Sequence, residues 1–230
     1  LLELSSDDNF REYIKRAMVY IGREKPDSLL PLYSSSDVYL RRFLCEVAVV
    51  VAAPLYFDVM LKGLGDDDGH IRALAAAGLS NIGDKAAVEH IMKLLDDPYI
   101  DVQEAAVKAL VAFRDRLDAS LLKKDLEGKN PVLKKNVILL LGRVEAEGAV
   151  PAIGFCLKDE DVLVRRAVVS SLSFFKSEES IRYLTTALTD EDPDIRSSAA
   201  LSLGASGSSI EPLSLLLSDT DDMVRVSVAK

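Results

Sequence analysis

The chain has 230 residues, 49% of them apolar, with twelve Gly and eight Pro, which is enough for a buried core and too few turn formers for a disordered or linker-rich protein. A formal charge of −9 with no Trp disfavours nucleic acid as a partner, and no apolar run approaches the roughly 18 residues a membrane-spanning helix needs, the longest being Val47 to Tyr56. Two cysteines, Cys45 and Cys156, both in apolar stretches, disfavour a disulfide framework and point to packing roles in a reducing compartment, so a cytoplasmic location is expected.

Self-similarity orders the rest of the chain. An apolar residue followed by a basic or long polar one occurs at Leu40-Arg41, Ile71-Arg72, Val102-Gln103, Leu133-Lys134, Val164-Arg165 and Ile195-Arg196, each 31 positions after the last, with Phe10-Arg11 and Val224-Arg225 extending the series at spacings of 30 and 29. The copies start near 5, 36, 66, 97, 128, 159 and 190, with a partial eighth from 219, and are read as one repeat domain over 1–230.

Leu1 to Leu4 reads as the last turn of a helix, and the first copy runs from Phe10-Arg11 to a helix end at Ile21-Gly22. In the third copy Ile71, Ala75, Leu79 and Ile82 form the apolar stripe of a helix A; Gly83-Asp84 makes a turn, and Val88, Ile91 and Leu95 form the stripe of a helix B. Helix A recurs through Val102, Ala106, Leu110 and Phe113, then Val137, Leu141 and Val144, then Val168, Leu172 and Phe175, and finally Ala199 and Leu203. Helix B recurs through Val150, Ile153 and Leu157 after a turn at Glu147-Gly148, and through Ile181, Leu184 and Leu188. Gly204 to Ser209 forms the flexible turn of the seventh copy.

The junctions into helix A are acidic: Asp66-Asp67-Asp68, Asp96-Asp97-Pro98, Asp159-Glu160-Asp161, Asp190-Glu191-Asp192-Pro193 and Asp219-Thr220-Asp221-Asp222. An Asp there accepts from the orphan amides of the first turn, and Pro98, Pro131 and Pro193 mark helix starts because the first position needs no donor. Within these junctions Asp66 pairs with Arg72, Asp97 with Gln103, Asp159 with Arg165, Asp190 with Arg196 and Asp219 with Arg225, always six apart. The expectation is a structural ladder bridging neighbouring copies through charge-assisted hydrogen bonds, against the alternative of a row of catalytic carboxylates.

These Asp-x5-Arg junctions, the Leu column of helix A, the Ile82-Gly83 and Ile21-Gly22 ends and the Pro-containing helix B starts at Pro151 and Pro212 resemble the short HEAT-like repeats of the phycobilisome-lyase type. The resemblance covers nearly the whole length. It implies an all-α, right-handed α-α superhelix, a HEAT-like solenoid of about seven two-helix repeats in the armadillo-like manner, with B helices lining a concave binding face. The family spans scaffolds, lyase subunits, a hydroxylase and DNA-repair proteins. The hydroxylase branch uses paired His-Glu dipeptides as metal ligands, whereas His70 and His90 here precede Ile71 and Ile91 in separate copies.

No catalytic, metal-binding or cofactor-binding constellation is read from the sequence. With Val88, Ile91 and Leu95 inward, His90 and Lys93 face out, and the positions related to them by the repeat are Val59 and Lys62, Leu121 and Lys124, Ala152 and Phe155, and Tyr183 and Thr186. His90, Lys93, Leu121, Lys124, Phe155, Tyr183 and Thr186 are therefore the candidate partner-binding residues, the alternative being that the apolar members pack on neighbouring B helices. Lys108 to Arg143 carries nine basic against four acidic residues, an acidic-partner site or a solvated face. The expected function is a non-catalytic scaffold binding a protein partner; the alternative is a lyase-type enzyme or subunit acting on a bilin or its carrier protein. Lys230 falls six residues into a helix A, and neither end reads as a capping repeat, so a segment of a longer array is expected.

Overall fold

The computed structural model describes residues 8–207 and 211–228, and all the regular structure among them is helical. Readings that rest on Leu1 to Leu4, Ser208, Ser209 and Lys230 lie outside the described residues. The chain divides into two compact units, Leu1–Leu117 and Asp118–Lys230.

The first unit contains α1 (Asp8–Glu24), a 3-10 segment (Pro26–Ser34), α2 (Val38–Val51), α3 (Phe57–Gly63), α4 (Gly69–Ile82), α5 (Val88–Met92) with a 3-10 turn Lys93–Asp96, and α6 (Ile100–Val111). Helices α2, α4 and α6 are A helices. The side chains of Asp37 and Asp68 accept from the Tyr39 and Ile71 amides and so start α2 and α4, while Gly83, at φ 78, closes α4 by donating its amide to the Leu79 carbonyl. The stripes are inward: Ile71, Ala75 and Leu79, and Val102, Ala106 and Leu110, are all buried, as are Val88, Ile91 and Leu95 on the B side. Burying each large aliphatic in such a layer contributes about 1.5–3 kcal/mol.

Two expected boundaries move. Gly22 does not end a helix: α1 continues to Glu24, and Gly22 is buried where a Cβ would stand 3.0 Å from the Tyr56 hydroxyl and 3.1 Å from Val47. Its small size makes room for a neighbour. Pro98 precedes α6 by two residues, with Tyr99 as the flanking residue, so it shapes the approach to the helix and does not open it.

The second unit contains α7 (Ala119–Asp125), α8 (Pro131–Arg143), α9 (Val150–Phe155) with a 3-10 turn Cys156–Lys158, α10 (Val162–Leu172), α11 (Glu178–Ala187), α12 (Pro193–Ala205), α13 (Glu211–Ser214) with a 3-10 turn Leu215–Ser218, and α14 (Asp222–Val228). Pro131 and Pro193 do open α8 and α12, behind capping side chains of Asn130 and Asp192. Here too the columns are buried: Val137 and Leu141, Val164, Val168 and Leu172, and Ile195, Ala199 and Leu203. α8 and α10 approach closely at Gly142, where a Cβ would lie 2.6 Å from that of Ser171, whose hydroxyl donates to the Ile138 carbonyl.

α5, α9 and α13 are short α segments completed by 3-10 turns, tighter than the expected three α turns, whereas α11 is a continuous ten-residue helix. Cys45 and Cys156 are free and buried, and burial pushes the Cys45 thiol up to about 12.

Candidate interaction surface

The basic residues near the start of each A helix are used structurally. Arg72 reaches the Asp97 carboxylate with Nε at 2.7 Å and Nη2 at 2.9 Å, and the same two-point contact joins Arg41 to Asp66 in the first unit. In the second unit it joins Arg165 to Asp190 and Arg196 to Asp219, while Lys134 reaches Asp159 at 2.7 Å.

Each of these contacts therefore runs from one copy to the loop of the next, 25 or 23 residues on. The pairs six apart meet differently. Arg72 Nη1 donates to the Asp66 carbonyl, Arg165 to that of Asp159, Arg196 to that of Asp190 and Arg225 to that of Asp219, and Gln103 does the same to Asp97 with its amide. One guanidinium thus holds its own loop by a backbone oxygen and the following loop by a carboxylate.

Electrostatics follow from this geometry. Burial pushes the Asp66, Asp97 and Asp159 carboxyls up, but the hydrogen bonds from Arg41, Arg72 and Lys134, with the amides two residues on, outweigh it and hold all three below the ordinary carboxylate value. A second row lies one position along: Arg42 pairs with Asp68, and Arg166 with Asp192 at 2.8 Å and Asp194 at 2.7 Å. The sequence reading passed over this row, although the doublets Arg41-Arg42 and Arg165-Arg166 facing Asp-x-Asp loops carry its signal.

The B side is organised otherwise. His90 and Lys93 are exposed on α5 and the turn after it, and Leu121 and Lys124 are exposed on α7. Phe155, at the end of α9, leaves 70% of its surface in water, and the Lys158 ammonium stands 5.6 Å over its ring. Thr186 is exposed, its hydroxyl donating to the Arg182 carbonyl.

Tyr183 is half-buried. Its ring lies on α9 so closely that a Cβ at Gly154 would stand 2.4 Å from it. For this residue the arrangement is packing on the neighbouring B helix. His90 and Lys93 belong to the first unit and the other five candidates to the second, and the basic stretch from Lys108 to Arg143 is divided in the same way.

Among the described residues no group of three or more His, Cys, Asp or Glu side chains is placed to hold a metal ion, and no helix is long and apolar enough to cross a membrane.

The model for HEAT repeats matches residues 26–111, 119–204 and 175–230. No curated protein matches the sequence. Among solved structures the chain is similar to YibA of Escherichia coli at 17% identity, covering 84% of this chain and 73% of that one with a TM-score of 0.61. It is also similar to the complex of CpcE and CpcF of phycocyanin lyase from Nostoc, at 21% identity, 89% and 85% coverage and a TM-score of 0.49. Human deoxyhypusine hydroxylase follows at 19% identity, 98% and 89% coverage and 0.45. The YibA likeness bears on the fold alone. With matches that run through most of its length and buried columns that repeat in both units, the chain belongs to the HEAT-repeat family.

Proposed function

We propose that this protein is a non-catalytic scaffold that binds a partner protein through its B-helix surface. The observation that supports this reading is a division of labour within the repeat. Buried columns account for the apolar periodicity, and the paired rows account for most Arg and Asp at the A side. Exposed Leu121, Phe155, Lys93 and Lys124 on B helices are left without a structural task, in the mixture of aromatic, aliphatic and basic groups that protein interfaces use.

Affinity capture from cells followed by mass spectrometry tests it, run in parallel with a B-side variant (Lys93→Glu, Lys124→Glu, Phe155→Ala) and an A-side variant at exposed Glu104 and Ser198. At least one protein should co-purify with the wild type and the A-side variant and be lost with the B-side variant. Partners retained equally by all three would count against the B surface, and none above background would count against the scaffold itself.

A further inference from the structure

Cations recur at two places in the repeat. On the A helices Arg41, Arg42, Arg72, Lys134, Arg165, Arg166 and Arg196 are each joined to a carboxylate. On the B helices Lys62, Lys93 and Lys124 recur at intervals of 31 residues, all exposed, and none is joined to a carboxylate among the described residues. The repeat gives these lysines the same place three times without an internal counter-charge.

The copies differ in what stands one helical turn before that position. In the first unit exposed Asp58 precedes Lys62 and exposed Glu89 precedes Lys93, each by four residues, so a carboxylate shares the helix face and offsets the lysine. In the second unit the same places hold Ser120 before Lys124 and Pro151 before Phe155. No acidic residue occurs from Val150 to Lys158, and α7 adds Lys123 beside Lys124. The acids nearest in sequence are exposed Asp118, which caps α7, half-buried Asp125, exposed Glu127, exposed Glu145 and Glu147 before α9, Asp159, which is joined to Lys134, exposed Glu160, and Glu178 and Glu179 at the start of α11, where Glu179 faces Arg182.

On α9 stands the most exposed large hydrophobic side chain described in the protein, Phe155, with Leu121 at 55% exposure on α7, one copy earlier. The Lys123 ammonium donates to the Gly148 carbonyl, which ties α7 to the turn leading into α9. Lys158 covers one face of the Phe155 ring and leaves the rest open to a ligand that can take up the ammonium as well.

We infer that the α7–α9 surface of the second unit binds an acidic partner segment carrying an aromatic or aliphatic residue, which packs on Phe155 and Leu121 while its carboxylates meet Lys124 and Lys158. This rests on the scaffold reading and adds to it a location and a partner chemistry. A basic or neutral peptide would leave both ammonium groups without a counter-charge, and a purely acidic one would leave Phe155 in water, so the combination is what the surface selects.

The probe is a displayed library of random 16-residue peptides selected against the full chain, with winners measured by fluorescence anisotropy across a range of salt. The enriched peptides should be net acidic and share a Phe, Trp, Leu or Ile. Phe155→Ala, and separately Lys124→Glu with Lys158→Glu, should each weaken them by about tenfold or more while the helical circular dichroism is unchanged. Lys62→Glu, an exposed lysine of the first unit outside the candidate set, should weaken them by less than about threefold.

Peptides that bind but are not acidic, or that ignore the second-unit substitutions, would overturn this inference and leave the scaffold reading standing. A library that yields no binder would count against both. A 20-nucleotide oligothymidylate that binds and is lost on the same substitutions would replace the acidic peptide with nucleic acid.

Discussion

Asp97 stands between two copies of the repeat. Its carboxylate takes both Nε and Nη2 of Arg72 from the copy before, and its carbonyl accepts from Gln103 in its own. Both side chains of the ion pair are nearly excluded from water, so removing one leaves the other charge buried without compensation. Asp97→Asn should therefore cost about 3–5 kcal/mol at neutral pH. The pH dependence has a definite sign. Burial alone would raise the Asp97 carboxyl, but Arg72 and the Tyr99 amide bring it below its unfolded value, so the folded protein binds fewer protons than the unfolded one in the acid range. The stabilisation is complete above the unfolded carboxylate value of about 3.9 and is lost as pH falls through the lower folded value. Urea midpoints measured from pH 7 down through that window should show a shallower acid slope for Asp97→Asn than for the wild type. Equal slopes would mean that the carboxylate does not feel Arg72.

Between elements, the tight contact of α8 with α10 in the second unit is set by an absence of side chain. A Cβ on Gly142 would stand 2.6 Å from the Ser171 Cβ and 2.8 Å from its Cα, and because the Cα is backbone, α8 and α10 would have to move apart. Gly142→Ala is expected to destabilise by about 1–3 kcal/mol despite the better helix propensity of Ala, read as a fall in urea midpoint; an unchanged or higher midpoint would refute the tight contact. Much of this level is legible in sequence, and its failures are physical. The columns of Ile71, Ala75 and Leu79 and their repeats are buried as the 3.6-residue period requires. The six-residue spacing of Asp66 and Arg72 was visible, yet spacing alone does not say which of two consecutive loops a guanidinium faces, nor whether it meets a carbonyl or a carboxylate. Gly22 shows the same ambiguity, since a glycine after an apolar residue can end a helix or make room for a Tyr hydroxyl. Phe155 and Tyr183 are both aromatic and lie one helical turn apart in the repeat frame; the Tyr183 ring packs against Gly154, whereas Phe155 stays open to water.

For the molecule as a whole, the two units are bounded at Leu117 and Asp118, and the register of the paired residues changes character at the same step. Within the first unit Arg41 and Arg72 reach Asp66 and Asp97, and within the second Lys134, Arg165 and Arg196 reach Asp159, Asp190 and Asp219. The intervening positions of the same register hold Gln103 and Gly128, which cannot form an ion pair. Repeat arrays unfold according to the strength of nearest-neighbour terms, so urea unfolding should show two separable transitions. A single sharp wild-type transition would contradict this. The paired rows also give each copy a polarity: a donor edge at its Arg and an acceptor edge at the Asp of its loop. Such a copy behaves as a tile. Cutting out or duplicating one whole period within a unit rejoins a donor edge to an acceptor edge, so array length can change without a new seam being invented. Surface groups such as Lys124 and Phe155 travel with their tile, so a change in length also rearranges what the B surface displays.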